Sequence, residues 1–505
     1  MSDERRGGPR QGGEGGRQRH GGRQGGGSGG RQGDRRGGSG PRRQTSRNYV
    51  ALSRIVALEV LQAVRDDEAY ANLLLPVRIE RAKLDRADAG LATELTYGTL
   101  RRRGTYDAII ELAADRPTDR IDPDALDILR LGVHQLLSMR VPTHAAVDES
   151  VGLAHKFAPW ATGFVNAVLR TVSRSTAEQW ETWLAEDALD EDGRLSVLTS
   201  HPEWIIRALR AALDREGRGE EIRDLLDADN ASPRVNLVAL PGLGLPEPAE
   251  LGTADSYSPV GFTAADPLDL VAGHEGRVRV QDEGSQLAAL ALSRATPVRP
   301  GERWLDLCAG PGGKAALLAA EALAGGAVLV SNEAVPVRAD LVRNALAAVP
   351  SEHPVLVGDG RAIADVPESA GGYDRILLDA PCTGLGALRR RPEARWRKAP
   401  TDVPELTKLQ GELVDAAIAA LKPGGILAYV TCSPHTAETF GSLGGALARH
   451  AGVLEQLPTA EVVQGVANTE LDLAGDPFTV QLWPHRHGTD AMFIALLRKR
   501  DVAGS

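Results

Sequence analysis

Two different rhythms of apolar and polar residues divide the chain. From about residue 49, apolar residues recur three and four positions apart, as in VALSRIVALEVLQAV at 50–64. That spacing places them on one broad stripe of an α-helix. Several more segments of this kind follow, with few β-rich runs between them. The pattern therefore predicts an all-helical domain over 48–174.

The remainder of the chain changes character twice. Residues 175–275 mix a helical segment, the strand-like run SPRVNLVAL and a Pro/Gly-rich stretch, which predicts a connector and a small α+β subdomain. Over 276–500, short apolar runs alternate with helical stretches; the runs are RWLDL, AVLVSNE, PVLVGD, RILLDAP and ILAYVTC. This alternation predicts a doubly wound α/β sheet, in which ligands bind beyond the carboxyl ends of the strands.

Charge is distributed unevenly along the chain. The formal net charge is -10, yet residues 1–47 hold twelve Arg, only four acidic residues and seventeen Gly. Such a segment buries too little apolar surface to order itself, so it is predicted to be disordered. Its Arg residues suit contacts with RNA phosphates and bases, although a merely solubilising tail is the alternative interpretation.

Cysteine usage and hydropathy exclude several classes of protein. The chain has three cysteines without a CxxC pair, which disfavours a disulfide framework, a zinc site or a redox protein. It has no apolar run of about 18 residues and no apolar signal core at the N-terminus. We therefore expect a cytoplasmic, monomeric protein that contacts neither a membrane nor a metal ion.

A glycine-rich turn and two acidic residues mark a candidate cofactor site. The turn CAGPGGK at 308–314 follows the first strand of the α/β region and matches neither phosphate-binding glycine motif. Glu333 and Asp359 end the next two strands, where carboxylates hold ribose hydroxyls or an adenine amino group, or simply cap a helix. S-adenosylmethionine suits this combination, although spacing alone leaves other nucleoside cofactors open. The predicted cofactor residues are Cys308, Ala309, Gly310, Pro311, Gly312, Gly313, Lys314, Glu333, Asp359 and Asp379.

Two further cysteines follow strands of the same sheet. Cys382 lies in DAPCTG at 379–384, and Cys432 lies in TCS at 431–433. A thiolate that adds to C6 of cytosine makes C5 nucleophilic enough to accept a methyl group. Asp379 is placed to assist near N3 and N4, and a second thiol is available as a base or to help expel the product. The sequence therefore predicts chemistry for at least one of the thiols.

A basic segment follows the second cysteine motif in the chain. RRRPEARWRK at 389–398 has six basic residues of ten, with a tryptophan among them. Such a loop suits backbone phosphates and base stacking, whereas a solvated charge run is the alternative. The predicted RNA-binding residues are Arg389, Arg390, Arg391, Arg395 and Trp396.

These motifs together resemble a known family. DLCAGPGGK, DAPCTG, YVTCS, VQDEGSQ and HGTDAMF are similar to the motifs of RNA 5-methylcytosine methyltransferases over about 175–500. The helical region, which ends in GFVNAVLRTVSR, resembles the fold of the NusB antitermination factor. The combined layout resembles the RsmB (Sun/Fmu) family of 16S rRNA 5-methylcytosine methyltransferases.

The resemblance implies a role for each motif. Cys432 would be the nucleophile, Cys382 would aid product release, and Lys314 would point toward the active centre. The implied methyl donor is S-adenosylmethionine and the implied substrate is small-subunit rRNA. The chain departs from the family pattern at Gly310, where Ala is common, at Glu333, where Asp is more frequent, and at Ala491, where Gly is usual.

Other functions remain open at this stage. The same chemistry on tRNA or large-subunit rRNA fits the motifs, and so does a non-catalytic NusB-like RNA-binding factor with an inactive methyltransferase domain. An amino-group methyltransferase is disfavoured, because such enzymes usually carry a [DNS]PP[YFW] tetrapeptide where this chain has DAPC.

Overall fold

A computed structural model describes residues 50–501 of the chain. The predicted tail at 1–47 lies outside the described residues. The described chain begins with helices α1 (Leu52–Asp66), α2 (Ala71–Ala82), α3 (Arg86–Arg101), α4 (Arg103–Ala114), α5 (Pro123–Leu137), α6 (Thr143–Phe157), α7 (Thr162–Val172), α8 (Ala177–Asp187), α9 (Glu191–Thr199), α10 (Glu203–Arg215) and α11 (Ile222–Asn230).

Local sequence signals explain where several of these helices begin. The Asp85 side chain caps α3 by accepting a hydrogen bond from the Asp88 amide, and Asp122 caps α5 in the same way. The apolar stripes of α1 to α8 then meet in one core, which includes the fully buried Leu58 and Ile128. Helices α9 to α11 pack instead on residues of the α/β region, among them Leu385.

A small antiparallel sheet follows the helices. Its elements are β1 (Asn236–Ala239), α12 (Pro248–Leu251), β2 (Thr253–Ala254), β3 (Gly261–Thr263), α13 (Pro267–Gly273) and β4 (Val278–Val280), and the strand order is β2-β3-β1-β4. The segment predicted to be mixed is thus helical as far as Asn230 and forms strands only after it.

The larger sheet confirms the predicted doubly wound fold. Its elements are α14 (Glu283–Ser293), β5 (Arg303–Asp306), α15 (Gly313–Gly325), β6 (Val328–Glu333), α16 (Pro336–Leu346), β7 (Val355–Val357), β8 (Tyr373–Asp379), α17 (Val403–Ala420), β9 (Leu421–Thr431), α18 (Ser442–Arg449), β10 (Leu454–Gln456), α19 (Thr459–Val466), β11 (Thr479–Gln481), α20 (Pro484–His487) and β12 (Phe493–Lys499). The strand order is β10-β12-β9-β8-β5-β6-β7, with β11 also paired to β12.

The central strands β5 to β9 run parallel, whereas β12 runs antiparallel to β9. In β8 the side chains from Ile376 to Leu378 are all buried, because α14 covers one face of the sheet and α17 covers the other. Strands β5, β8 and β9 are neighbours. The residues that follow them therefore meet at one edge of the sheet.

Among residues 50–501, no helix combines the length and the apolar character needed to span a bilayer.

Candidate active site

The two strand-end cysteines lie in direct contact. Cys382 follows β8 and Cys432 follows β9, and their Sγ atoms are 3.4 Å apart. The Lys314 ammonium, from the first turn of α15, donates a hydrogen bond of 2.8 Å to Oδ2 of Asp379 at the end of β8. The structure therefore brings together two thiols, a carboxylate and a cation that the sequence places on three different elements.

The surroundings of the three thiols shift their pKa values in different directions. The hydrogen bond from Cys382 lowers the pKa of Cys432, and the charges of Lys314 and Arg391 act in the same direction. The same pairing, together with burial, raises the pKa of Cys382. Burial and the nearby carboxylates raise the pKa of Cys308. Because the thiolate is the nucleophilic form, these pKa directions favour Cys432 over the other two thiols as a nucleophile.

The glycine-rich turn has a backbone that only glycine adopts easily. Gly312 has a φ of +109°, and a Cβ atom there would lie 2.6 Å from Cβ of Ala345 in α16. Glu333 closes the same turn, because its Oε2 accepts a hydrogen bond of 3.0 Å from the Gly310 amide. A ligand can therefore approach the backbone closely beside a buried carboxylate.

Asp306 is a site residue that the sequence reasoning missed. It is the acid inside RWLDL, immediately before the glycine turn, and that position was the available signal. Its Oδ1 is buried and has no hydrogen-bond partner in the described part of the chain. Burial, with the charges of Asp379 and Glu333, raises the pKa of Asp306 to about 8. A buried acceptor without a partner suits a ligand with a cationic donor such as an ammonium group.

Asp359, which follows β7, has local hydrogen-bond partners in the structure. Its side chain is 49% exposed and pairs with the guanidinium of Arg361. It also caps a short 3-10 helix by accepting from the Arg361 amide. The hydrogen bonds with Arg361 lower the pKa of Asp359. Its contacts in the structure are those of a turn residue.

Known proteins of similar sequence identify the family of this chain. The family model described as 16S rRNA methyltransferase RsmB/F matches residues 295–498. A Pseudomonas putida protein named ribosomal RNA small subunit methyltransferase B is 34% identical over 470 residues, which are 88% of this chain and 98% of that protein. The chain belongs to the RsmB/F family. A Mycobacterium tuberculosis protein whose name describes it as a methyltransferase is 47% identical over 469 residues, covering 91% of this chain and 98% of that protein.

A second family model matches the helical region. The NusB family model matches residues 51–174, which confirms the resemblance seen in the sequence. The solved structure of a protein called PH0851 superimposes with a TM-score of 0.71 at 21% identity, covering 89% of this chain and 99% of that chain. The two proteins therefore share a fold over nearly their full lengths.

In this RsmB/F member the basic segment mostly contacts other parts of the same chain. The contacts of Arg395 form what we call the arginine clamp. Arg395 is fully buried, and its guanidinium donates to the carbonyl oxygens of Arg101, Ser200 and Asp229 and to Asn230 Oδ1. The segment therefore ties the α/β region to α3 and to the helices around α11. We correct the prediction that Arg395 contacts RNA, because no part of its side chain reaches solvent.

Arg389 needs the same correction, whereas Arg390 and Trp396 are only half-buried and stay predictions. Arg389 and Arg390 both pair with Asp282 and Asp490, and Arg389 is buried. These ion pairs join the VQDEGSQ and HGTDAMF motifs.

The Trp396 ring packs on the helical region, where a Cβ atom at Gly104 would lie 2.6 Å from it. Of the five predicted RNA-binding residues, Arg391 is the exposed one.

The departure from the family pattern at Ala491 leaves the turn intact. The Ala491 amide donates to the Gly386 carbonyl, and the Gly386 amide donates to the Cys432 carbonyl, both at 2.8 Å. Ala491 does not have a positive φ, so its methyl group adds no backbone strain. The HGTDAMF and YVTCS motifs are thus joined through a glycine that lies two residues after DAPCTG.

Proposed function

We propose that this protein transfers a methyl group from S-adenosylmethionine to C5 of a cytosine in RNA, and that the substrate is 16S rRNA. The observation that carries the proposal is the 3.4 Å contact between Cys382 and Cys432, beside the Lys314–Asp379 pair. One thiol suffices to add to a pyrimidine, whereas a second thiol in contact with it suits the later elimination. The names of the relatives and the NusB match support rRNA as the substrate.

The mechanism follows from the positions of these groups. The Cys432 thiolate adds to C6, which forms an S–C bond and shifts electron density to C5. Asp379, held by Lys314, accepts hydrogen bonds from the N4 amino group and from N3 once N3 takes up a proton, which neutralises the charge that develops on the ring. S-adenosylmethionine supplies the electrophilic methyl group. Loss of the C5 proton to a base then breaks the S–C6 bond, and Cys382 assists the departure of Cys432.

The residues that would hold S-adenosylmethionine surround the glycine turn. Glu333 ends β6, the second strand of the α/β region, and at this position a carboxylate binds the ribose hydroxyls of adenosine. Asp306 offers its unpartnered oxygen to the ammonium group of the methionine moiety. The turn itself, at 308–314, provides the close backbone approach.

Arg391 is the residue of the basic segment that we propose to contact RNA. It is exposed, and it is near enough to the thiol site for its charge to lower the pKa of Cys432. Its guanidinium lies 5.7 Å from the ring centroid of Tyr70, which is 48% exposed. An exposed Arg beside an exposed aromatic ring suits a phosphate and a flanking base.

The direct test is methylation of small-subunit rRNA with tritiated S-adenosylmethionine, followed by digestion to nucleosides. The label should appear in 5-methylcytidine. Large-subunit rRNA and tRNA serve as competing substrates in the same assay. Label in another nucleoside would contradict the proposed chemistry, and no label in any RNA would favour a non-catalytic RNA-binding factor.

A Cys382→Ala variant is expected to accumulate a covalent protein–RNA complex. Addition through Cys432 is retained, whereas elimination loses the thiol that touches it. Denaturing gel electrophoresis should show the complex with Cys382→Ala and not with the Cys382→Ala, Cys432→Ala double variant. A double variant that still forms the complex would exclude Cys432 as the attachment point.

Binding of S-adenosylmethionine is expected to release a proton near pH 7. The pKa of Asp306 is raised to about 8, so its carboxyl is mostly protonated before it meets the ammonium group. Affinity should therefore rise with pH up to about 8. Calorimetry in buffers of different ionisation enthalpy measures the released proton.

Asp306→Asn should abolish the release, and Asp359→Asn at an exposed position should retain it. A release that persists in Asp306→Asn would exclude Asp306 as its source.

The same raised pKa affects stability. The folded state holds this proton more tightly than an ordinary carboxyl of pKa 3.8 does. Without ligand, the stability that Asp306 contributes is therefore present below about pH 4 and is lost as the pH rises to about 8.

A further inference from the structure

Glu438 is a buried carboxylate that the sequence reasoning did not single out. It lies in a π-helical turn, Ala437–Gly441, six residues after Cys432. Its side chain is completely buried. A carboxylate in such a place is costly unless hydrogen bonds replace its lost hydration, so the identity of its donors indicates its purpose.

Four donors converge on the Glu438 carboxylate. Oε1 accepts from the Thr383 amide at 2.8 Å and from Gln410 Nε2 at 3.2 Å. Oε2 accepts from Thr383 Oγ1 at 2.5 Å and from Ser433 Oγ at 2.7 Å. The two hydroxyl oxygens are themselves 3.0 Å apart.

These donors belong to the two thiol-bearing loops. Thr383 immediately follows Cys382, and Ser433 immediately follows Cys432. Glu438 therefore holds the residue next to each thiol in place, with three of its four hydrogen bonds. The Tyr429 hydroxyl donates to the Glu438 carbonyl at 2.6 Å, which holds the turn itself against β9.

We propose that Glu438 is a positioning residue, which keeps the Cys382 and Cys432 thiols in contact so that both reach the same pyrimidine. The proposal rests on the proposed cytosine methylation for its effect on rate, but not for its geometry. The Gly386 amide, which donates to the Cys432 carbonyl, and the Glu438 carboxylate both link the two loops, whose thiols lie 3.4 Å apart. Glu438 is the link that binds the residue after each thiol, and preorganised support of this kind keeps reacting groups in place.

The test separates geometry from catalysis. Phenylarsine oxide condenses with two adjacent thiols, forming two S–As bonds and releasing one water molecule. Intact-mass measurement of its addition to the protein without RNA therefore reports whether the thiols are in contact. Glu438→Gln retains the side-chain shape but replaces one acceptor oxygen with a donor, so at least one of the four donors loses its acceptor.

The expected result for Glu438→Gln has two parts. Bridging by phenylarsine oxide should slow at least about tenfold, and kcat should fall about 100-fold with KM for RNA within about twofold of wild type. Glu216→Gln is the matched control, because Glu216 is also largely enclosed but binds Trp483 and Arg486 instead. It should leave both readouts unchanged. Wild-type bridging and kcat in a folded Glu438→Gln protein would overturn the proposal.

A second pair of variants covers the case in which Glu438→Gln does not fold. Thr383→Val removes one hydroxyl donor and leaves the carboxylate in place, whereas Thr383→Ser keeps the donor. Slower bridging in the first and normal bridging in the second would support the proposal, and equal bridging in both would overturn it. If wild type bridges but methylates no cytosine, the proposed function fails while a bridging defect in Glu438→Gln still supports the positioning role.

Discussion

Replacing Cys432 with alanine is expected to lower the rate of methyl transfer at least about 1000-fold, because the variant has no group that can form the C6 bond. Cys382 lies 3.4 Å away in wild type, and its burial still raises its pKa when the hydrogen bond with Cys432 is lost. It is therefore a poor substitute. Single-turnover transfer of tritium from S-adenosylmethionine to 16S rRNA measures the effect.

Two controls show whether the loss lies in the chemistry. Cys432→Ser keeps the shape of the side chain and should be equally inactive, because a hydroxyl is a far weaker nucleophile than a thiolate. Both variants should bind S-adenosylmethionine as wild type does, since Cys432 is not among the proposed cofactor residues. Substantial activity in either variant would refute the assignment of the nucleophile.

Replacing Arg395 with alanine is expected to lower the free energy of unfolding by about 3 kcal/mol or more. The guanidinium is fully buried, and burial lowers its pKa to about 10. Its removal leaves three buried carbonyl oxygens and the partly buried Asn230 Oδ1 without their donor, and a buried acceptor without a donor is costly. Denaturant unfolding followed by tryptophan fluorescence measures the change.

Arg391→Ala is the matched control for stability. Arg391 lies four residues earlier in the same segment, but it is exposed. Its replacement should change the free energy of unfolding by less than about 0.5 kcal/mol. It should instead raise KM for RNA. Equal destabilisation by the two variants would mean that the clamp is not specific to Arg395.

Much of the catalytic region was predictable from the sequence. The strands that carry Asp379, Cys382 and Cys432 show continuous apolar runs followed by distinctive residues, and parallel strands necessarily bring such ends together. The glycine turn was recognisable for the same reason. The antiparallel β12 beside β9 was not foreseen, since no local signal tells a chain where in a sheet a strand pairs.

The basic segment shows why other site features were missed. A run of arginines has the same local pattern whether its partners are phosphates or carbonyl oxygens. The partners of Arg395 lie between Arg101 and Asn230, more than 160 residues away along the chain. Glu438 was missed for a similar reason, because its role depends on Thr383, which is 55 residues distant.

The arginine clamp also limits how the chain can be divided. All four acceptors of Arg395 belong to residues no later than Asn230. A fragment that starts at Asn236, where the first strand begins, would retain every residue of the thiol site and the whole glycine turn. It would nevertheless leave the Arg395 guanidinium without its four acceptors, and the Trp396 indole without Gly104, against which it packs. Recombinant catalytic fragments should therefore aggregate unless helices α3, α9 and α11 are kept with them.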